Sequence, residues 1–387
     1  MSITRPTRVE SIVIGGGYTG LLAASVLSNA GYDVLIIPGP TTKPAARPGE
    51  VVHLGGLDDL DDLVHDVSRA LRERGALSFP DRGEDSHGQA DPQAWPRRTR
   101  LTCSHELLLQ VVRETVLARP GRERETLWWD GSQATGLVGD AQQVRGVRIS
   151  LDDGTEHVVA ADLVVDASGA GSSATAWLRT LGQPSVASSK RPAAPAASRL
   201  YRAPALSADT GVTEVVEGDR RAVLVPVEDG MWMVTQTCLE GEDLPVAEAF
   251  ETAALRFTNP AVGKLVADAE PVGEVRLHAP GSLVWHRFDQ APTRGLVVLG
   301  NAFAAFSPQD PDGLKAAQAG ARALRAALDQ GITHPTLAER AQRAAAEHLL
   351  ELWGHPRTGD QPVGRHHGTR LQQVIRTAGR FLRAGTP

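Results

Sequence analysis

The sequence predicts an α/β fold, and three observations carry that prediction. A run of β-branched and apolar residues, Ser11–Ile14, enters the turn Gly15-Gly16-Gly17-Tyr18-Thr19-Gly20. An apolar stretch with helical spacing, Leu21–Asn29, follows it. Gly31 stops that helix and Val34–Ile37 supplies a second buried strand, which closes a βαβ unit. Far downstream, Leu296-Val297-Val298-Leu299 is another short buried strand, and it leads through a loop into the Ala-rich helix Leu314–Asp329.

The remaining elements follow in order. Pro38-Gly39-Pro40 ends the second strand, and Thr41–Pro48 is a Pro/Ala loop. Leu57–Arg74 has the pattern of one amphipathic helix whose acidic start (Asp58, Asp59, Asp61, Asp62) suits the helix dipole. Gly83–Pro96 is polar and turn-rich, and Ser104 is placed to N-cap a helix reaching about Ala118. Thr135–Gly139, Val144–Ser150 and Glu156–Ala160 alternate as strands, with a turn at Asp153-Gly154. Leu163-Val164-Val165 is a separate short strand entering Asp166-Ala167-Ser168-Gly169. A Pro/Ala/Ser-rich crossing covers Gln183–Ser198. Strands at Leu200–Arg202, Ala222–Val227 and Met231–Thr237 follow, with Glu228-Asp229 as a hairpin turn and a helix at Val246–Arg256. On the last of these strands Met231 and Met233 share one face and Trp232 takes the other. Thr336–Trp353 is a final helix, before a polar tail with His366-His367.

Bulk properties narrow the function. The 387 residues suffice for two or three units with shared cores, and 41% apolar content is ordinary for a globular chain. A formal net charge of -6 gives no electrostatic reason to expect nucleic acid. No apolar run is long enough for a membrane span, and no signal peptide opens the chain, which points to the cytoplasm. Cys103 and Cys238 have no metal spacing and read as reduced core or pocket residues. The histidine pair in the tail lacks partnering ligands, and Ser168 and Ser172 lie in no nucleophile elbow, so neither a metal site nor a serine hydrolase is expected.

Gly15, Gly17 and Gly20 have the G-x-G-x-x-G spacing of a dinucleotide turn. The first glycine permits the tight turn, the second lets a pyrophosphate approach the backbone, and the third packs helix on strand. Two later segments extend the motif. Ala161–Gly171 (ADLVVDASGAG) and Gly295–Ala323 (GLVVLGNAFAAFSPQDPDGLKAAQAGARA) resemble the second and third flavin fingerprints of FAD-dependent monooxygenases of the aromatic-hydroxylase type. Ala222–Leu255 resembles the substrate-domain sheet of the branch that includes bacterial polyether epoxidases. Arg47–Leu57 resembles the same branch, with His53 matching a histidine there.

The resemblance covers about residues 1–330. It implies a Rossmann-like, glutathione-reductase-like FAD-binding domain, an inserted mixed β-sheet substrate domain and a helical C-terminus. The implied boundaries are 1–80, 100–182 and 285–330 for the discontinuous FAD domain, 183–284 for the substrate domain and 331–387 for the C-terminal segment. It implies FAD contacts at Gly15, Gly17, Tyr18, Thr19, Gly20, Arg100, Asp166, Gly300, Asn301, Pro308 and Gly313. His53, Asp312 and Lys315 are the candidates for chemistry: Lys315 as a cation at the N1/O2 edge of the flavin, or paired with Asp312 as salt bridge or acid and base in an emptied pocket.

Four positions depart from the family pattern, all at expected flavin contacts. Pro38 stands where an acidic residue binds the adenosine ribose. Cys103 or Ser104 stands where an arginine approaches the pyrophosphate, with Arg97, Arg98 and Arg100 just upstream. Asn301 replaces an aspartate, and Pro311 removes a backbone donor from the loop after Pro308. Three lost charged hydrogen bonds would cost about 4–5 kcal/mol, roughly a thousandfold in affinity. Two readings follow. One is a flavin-dependent monooxygenase hydroxylating or epoxidising a hydrophobic small molecule, as in natural-product biosynthesis, with NAD(P)H or a flavin reductase as electron source. The other is a flavin-independent cyclase, isomerase or lyase on the same fold, with no cofactor. The reduced C-terminal part either opens the pocket or offers a surface for a homodimer.

Overall fold

A computed structural model describes residues 6–39, 51–54, 60–80, 99–118, 125–193, 195–203, 211–218, 220–238, 249–278, 282–307 and 312–354. The strands are β1 (Arg8–Ile14), β2 (Val34–Ile37), β3 (Val51–Leu54), β4 (Leu77–Pro80), β5 (Thr99–Ser104), β6 (Thr126–Trp128), β7 (Ser132–Gly139), β8 (Val144–Leu151) and β9 (Glu156–Asp166). They continue with β10 (Ser188–Pro192), β11 (Ala196–Arg202), β12 (Thr213–Glu217), β13 (Arg220–Val227), β14 (Met231–Cys238), β15 (Glu270–His278), β16 (Ser282–His286) and β17 (Leu296–Val298). The helices are α1 (Tyr18–Asn29), α2 (Val67–Glu73), α3 (His105–Leu117), α4 (Ala174–Thr180), α5 (Phe250–Ala254), α6 (Pro260–Asp268), α7 (Asp312–Ala327) and α8 (Leu337–Gly354).

The nucleotide-type sheet runs β6-β2-β1-β9-β8-β7, with β17 also paired to β9. Strands β6, β2, β1, β9 and β17 are mutually parallel, and the β7–β8 hairpin joins antiparallel. Strand alternation decides which layer each side chain enters. Val13, Val34 and Ile36 pack with Leu21, Leu22, Val111 and Leu324 on the α1/α3/α7 side. Ile12, Ile14, Leu35 and Ile37 pack with Trp129, Val147, Phe303 and Leu349 on the other. Full burial on both faces explains why these strands read as continuous apolar runs.

A second, five-stranded antiparallel sheet has the order β12-β13-β14-β11-β15. Its one face carries Ala197, Tyr201, Trp232 and Val234 into a core with Phe250, Val262 and Leu265 of α5 and α6. Met231, Met233, Thr235 and Thr237 therefore take the opposite face, where all four are buried. Helix α8 is tied to the first sheet: Gln342 Nε2 donates to Val298 O at 2.7 Å and Trp353 Nε1 to Ala305 O at 3.2 Å. The Arg191 guanidinium lies 4.8 Å from the Trp353 ring centroid.

The structure corrects the sequence reading at several elements. The expected single helix Leu57–Arg74 is broken at a turn over 62–66, where Asp66 takes φ 61° and α2 begins anew. Asp61 accepts the Ser68 N–H at 2.8 Å and Asp62 pairs with Arg325, so these acids make specific bonds instead of lining one helix start. The strands expected at Glu156–Ala160 and Leu163–Val165 are one strand, β9: its first half pairs with β8 and its second with β1. The crossing at 183–198 contains β10, which pairs with β16. The helix expected at Val246–Arg256 is the short α5, its predicted start lying outside the described residues. The loops at Thr41–Pro48 and Gly83–Pro96, together with His366-His367, also lie outside them. No helix among the described residues is long and apolar enough to cross a membrane.

Candidate functional site

The site begins where β1 ends. Gly15 has φ +110°, and a Cβ there would lie 2.3 Å from Ala167 O, so only glycine lets β1 turn beside the end of β9. A Cβ on Gly20 would lie 1.9 Å from Gly15 O, because α1 is seated directly on the turn. Gly17 differs: a Cβ there would meet nothing within 4 Å. Gly17 is also the N-cap of α1, with no side-chain cap and no acidic residue in the first turn. The first N–H groups of a helix lack intrahelical acceptors and carry the positive end of its dipole. An open, uncapped helix start beside a glycine turn fits an anionic pyrophosphate, and the residues present therefore fit a dinucleotide.

Asp166, in register with Ile14, closes the neighbouring strand and is fully buried. Its Oδ1 accepts Ser168 N–H at 2.9 Å and Ser168 Oγ–H at 2.6 Å, and its Oδ2 accepts Ser172 Oγ–H at 2.6 Å. The carboxylate is thus spent on shaping its own loop. That loop supplies Ala167, against which Gly15 turns. The two serines, which the sequence left without a role, are the ligands of this aspartate.

The third segment comes to the same place. Gly300, at φ +58°, lies under Thr19; a Cβ on it would be 2.3 Å from Thr19 Oγ1. Asn301 Oδ1 accepts the Phe306 N–H at 3.3 Å, fixing the loop that leads towards α7. Pro308 and Pro311 lie outside the described residues. Gly313 follows in α7, with Phe306 close against it, a virtual Cβ being 3.3 Å from Phe306 Cβ. Asp312 is buried and Lys315 half-exposed, and they form an ion pair at 3.1 Å. Tyr18 turns its side chain away from the open turn: its hydroxyl accepts a bond from Gln318 Nε2 of α7 at 3.0 Å. Burial raises the Tyr18 phenol above its ordinary range. Its contribution to stability is therefore intact below pH 10 and is lost as pH rises beyond it. Tyr18→Phe strands the Gln318 donor and lowers stability by about 1–3 kcal/mol at pH 7. In thermal melts at pH 7 and above 10, the variant also shows a shallower alkaline decline.

The position where the family carries an arginine has the opposite electrostatics. Cys103 is fully buried, and burial followed by the nearby Glu228 charge raises its thiol pKa, so it stays protonated and unreactive. Ser104 N-caps α3, its Oγ accepting Leu107 N–H at 3.1 Å. Glu228, in the hairpin turn between β13 and β14, accepts both the Ser104 N–H (2.8 Å) and the Ser104 hydroxyl. Thr102 Oγ1 donates to Pro226 O at 2.6 Å beside it. These bonds join β5, the middle strand of a small three-stranded sheet β3-β5-β4, to the five-stranded sheet. Removing the acceptor in Glu228→Ala is expected to cost about 1.5–3 kcal/mol, read from the urea midpoint. Glu228→Gln keeps an acceptor and loses less.

Arg100 is in β5, opposite Phe79 of β4, and His53 is in β3, opposite Thr102; their side chains lie outside the described residues, as do Arg97 and Arg98. Strand β3 runs beside α7, which brings the strand of His53 to the helix of Lys315. Two features had no sequence signal because they depend on register. Ser198 Oγ lies 2.9 Å from Thr235 Oγ1 and 3.2 Å from His278 Nε2 on the buried methionine face of the second sheet. Trp128, ending the edge strand β6, packs on Gly16 and Pro38.

Residues 8–191 match the family described as "FAD binding domain". The chain is 29% identical to protein Rv3254 of Mycobacterium tuberculosis (strain ATCC 25618 / H37Rv), over 93% of this chain and 81% of that one. Its fold is similar to that of p-nitrophenol 4-monooxygenase PnpA from Pseudomonas putida DLL-E4, with a TM-score of 0.64, 18% identity and coverage of 98% and 95% of the two chains. It is also similar to CmlS, a flavin-dependent halogenase, with a TM-score of 0.66, 18% identity and coverage of 97% and 70%. Residues 8–191 thus match an FAD binding domain, which indicates FAD as the cofactor, and the fold is similar to that of p-nitrophenol 4-monooxygenase PnpA.

Proposed function

We propose that the protein is a flavin-dependent monooxygenase that hydroxylates or epoxidises a hydrophobic small molecule. The observation that carries this reading is the open, uncapped start of α1 at Gly17, set between the Asp166 loop and Gly300 within the FAD binding domain. Bound FAD supplies the redox and oxygen chemistry. The chain binds, orients and excludes water. The first N–H groups of α1 hold the pyrophosphate, and the Asp166 loop and Gly300 fix the turn that presents them. We assign the substrate to the buried face carrying Met231, Met233 and Val225, where the Ser198–Thr235–His278 ladder marks a polar point on an apolar wall. Electrons come from NAD(P)H, directly or through a flavin reductase. The buried, unpaired thiol of Cys103 suits the cytoplasm, where we place the enzyme.

The uncapped helix start also favours this reading over the cofactor-free one, since an emptied site has no use for it. The test is an absorption spectrum after incubation with FAD and gel filtration, followed by oxygen consumption with NAD(P)H. Flavin bands that travel with the protein support the assignment. No retained bands and no fluorescence change under a large excess of FAD overturn it.

Lys315 supplies a positive charge in the first turn of α7, and His53 completes the candidate group from β3. A cation near the flavin ring stabilises its reduced, anionic form. Lys315→Met should therefore move the reduction potential of the bound flavin to a more negative value, measured by dye equilibration. An unchanged potential removes Lys315 from the group.

A further inference from the structure

The second strand of a dinucleotide fold ordinarily ends in an acidic residue that holds the adenosine ribose hydroxyls. Here β2 is followed by Pro38, whose carbonyl accepts the Gly16 N–H at 3.3 Å and whose ring offers no acceptor. An indole stands beside it. Trp128 pairs in register with Ile36, at the end of the edge strand next to β2. If Gly16 carried a Cβ, the nearest atoms to it would be Trp128 Cη2 at 2.5 Å and Pro38 Cβ at 2.8 Å. The indole tip and the proline ring are thus packed directly on the fingerprint backbone, and Gly16 is the residue that makes room for them. The ring is held from below by the α1/α3 core, and the Arg113 guanidinium lies 5.6 Å from its centroid. It is half-buried, so an edge of a rigid aromatic surface is presented beside the turn.

We propose that Trp128, with Pro38, is an apolar platform for the adenosine part of FAD and replaces the carboxylate that would read the ribose diol. The inference rests on the flavoprotein reading above. Two consequences follow. Contact with an aromatic surface does not depend on the ribose 2′-hydroxyl, whereas a site built to hydrogen-bond that group rejects a ligand lacking it. Contact of a base with an aromatic ring is worth about tenfold in affinity, within a range of roughly five- to a hundredfold.

The experiment measures binding of FAD, FMN, ADP and 2′-deoxy-ADP by calorimetry to wild type and Trp128→Ala, with Trp128→Leu as the variant that keeps volume if alanine impairs folding. Wild type should bind ADP and 2′-deoxy-ADP within about twofold of each other. Either substitution should weaken FAD and ADP about tenfold while leaving FMN, which lacks the adenosine, within about twofold. Equal loss of FAD and FMN, no loss of either, or a tenfold preference for ADP over its deoxy form would overturn the platform. Absence of FAD binding by wild type would overturn the flavoprotein reading itself, and the platform with it. A wild-type affinity that both variants leave unchanged would overturn the platform alone.

Discussion

Gly20→Ala is expected to yield a protein that neither folds stably nor holds FAD, while Gly17→Ala folds normally and loses only affinity. The contrast comes from what each new methyl would meet. At Gly20 it would lie 1.9 Å from Gly15 O, a backbone atom that is itself locked by the Gly15 N–H bond to Ile37 O at 2.8 Å. No rotamer change relieves that overlap. Helix α1 must lift from the sheet, at a cost of about 3 kcal/mol or more. At Gly17 the methyl meets nothing within 4 Å, and φ is an ordinary -80°. Stability should then stay within about 0.5 kcal/mol of wild type. The methyl does enter the space where a pyrophosphate would approach the helix start. FAD affinity should fall by at least about tenfold, or 1.4 kcal/mol. Thermal melts and fluorescence titration with FAD separate the two effects. A Gly17→Ala protein that binds FAD as well as wild type would show that this helix start is not the cofactor cradle.

Much of this geometry was legible in the sequence because it is local. The glycine spacing fixes which residues can turn between β1 and α1, and the strand Val34–Ile37 falls where its apolar run predicts. Ser104 caps α3 as expected, since a cap needs only its own N–H neighbours three residues on. What could not be read depends on pairing between distant segments. Glu228 meets Ser104 across 124 residues, and Trp128 reaches Gly16 only because β6 adds to the edge of β2. The acidic run at 58–62 misled for a related reason. Its charges suit a helix start, yet Asp61 caps a later helix and Asp62 bonds Arg325 of α7. Read along the chain alone, the departures at Ser104 and Pro38 are losses from the family pattern. The structure shows what fills both places, a carboxylate at one and an indole at the other.

Asp166→Ala should cost about 3–5 kcal/mol and lower FAD affinity as well, since the carboxylate is fully buried and holds its own loop through three hydrogen bonds. Three donors converge on this carboxylate: Ser168 N–H, Ser168 Oγ–H and Ser172 Oγ–H. Hydrogen bonds to a charged group contribute about 1.5–3 kcal/mol each, and the fully buried site gives the abandoned groups limited access to water. The loop carries the consequence to the site. Ala167 donates its N–H to Ile14 O at 2.8 Å and its carbonyl lies against Gly15, so a loosened loop lets the glycine turn relax. Asp166→Asn gives a sharper test. One oxygen remains as acceptor, and the new amide can donate to a serine hydroxyl that rotates to accept. The charge is lost and one contact is reversed, and the cost should fall to about 1–2 kcal/mol with most FAD affinity retained. If asparagine and alanine lower FAD affinity equally while asparagine leaves stability intact, the carboxylate charge itself would be acting on the cofactor. The opposite ranking, with affinity following stability through both variants, assigns Asp166 to the positioning of the turn.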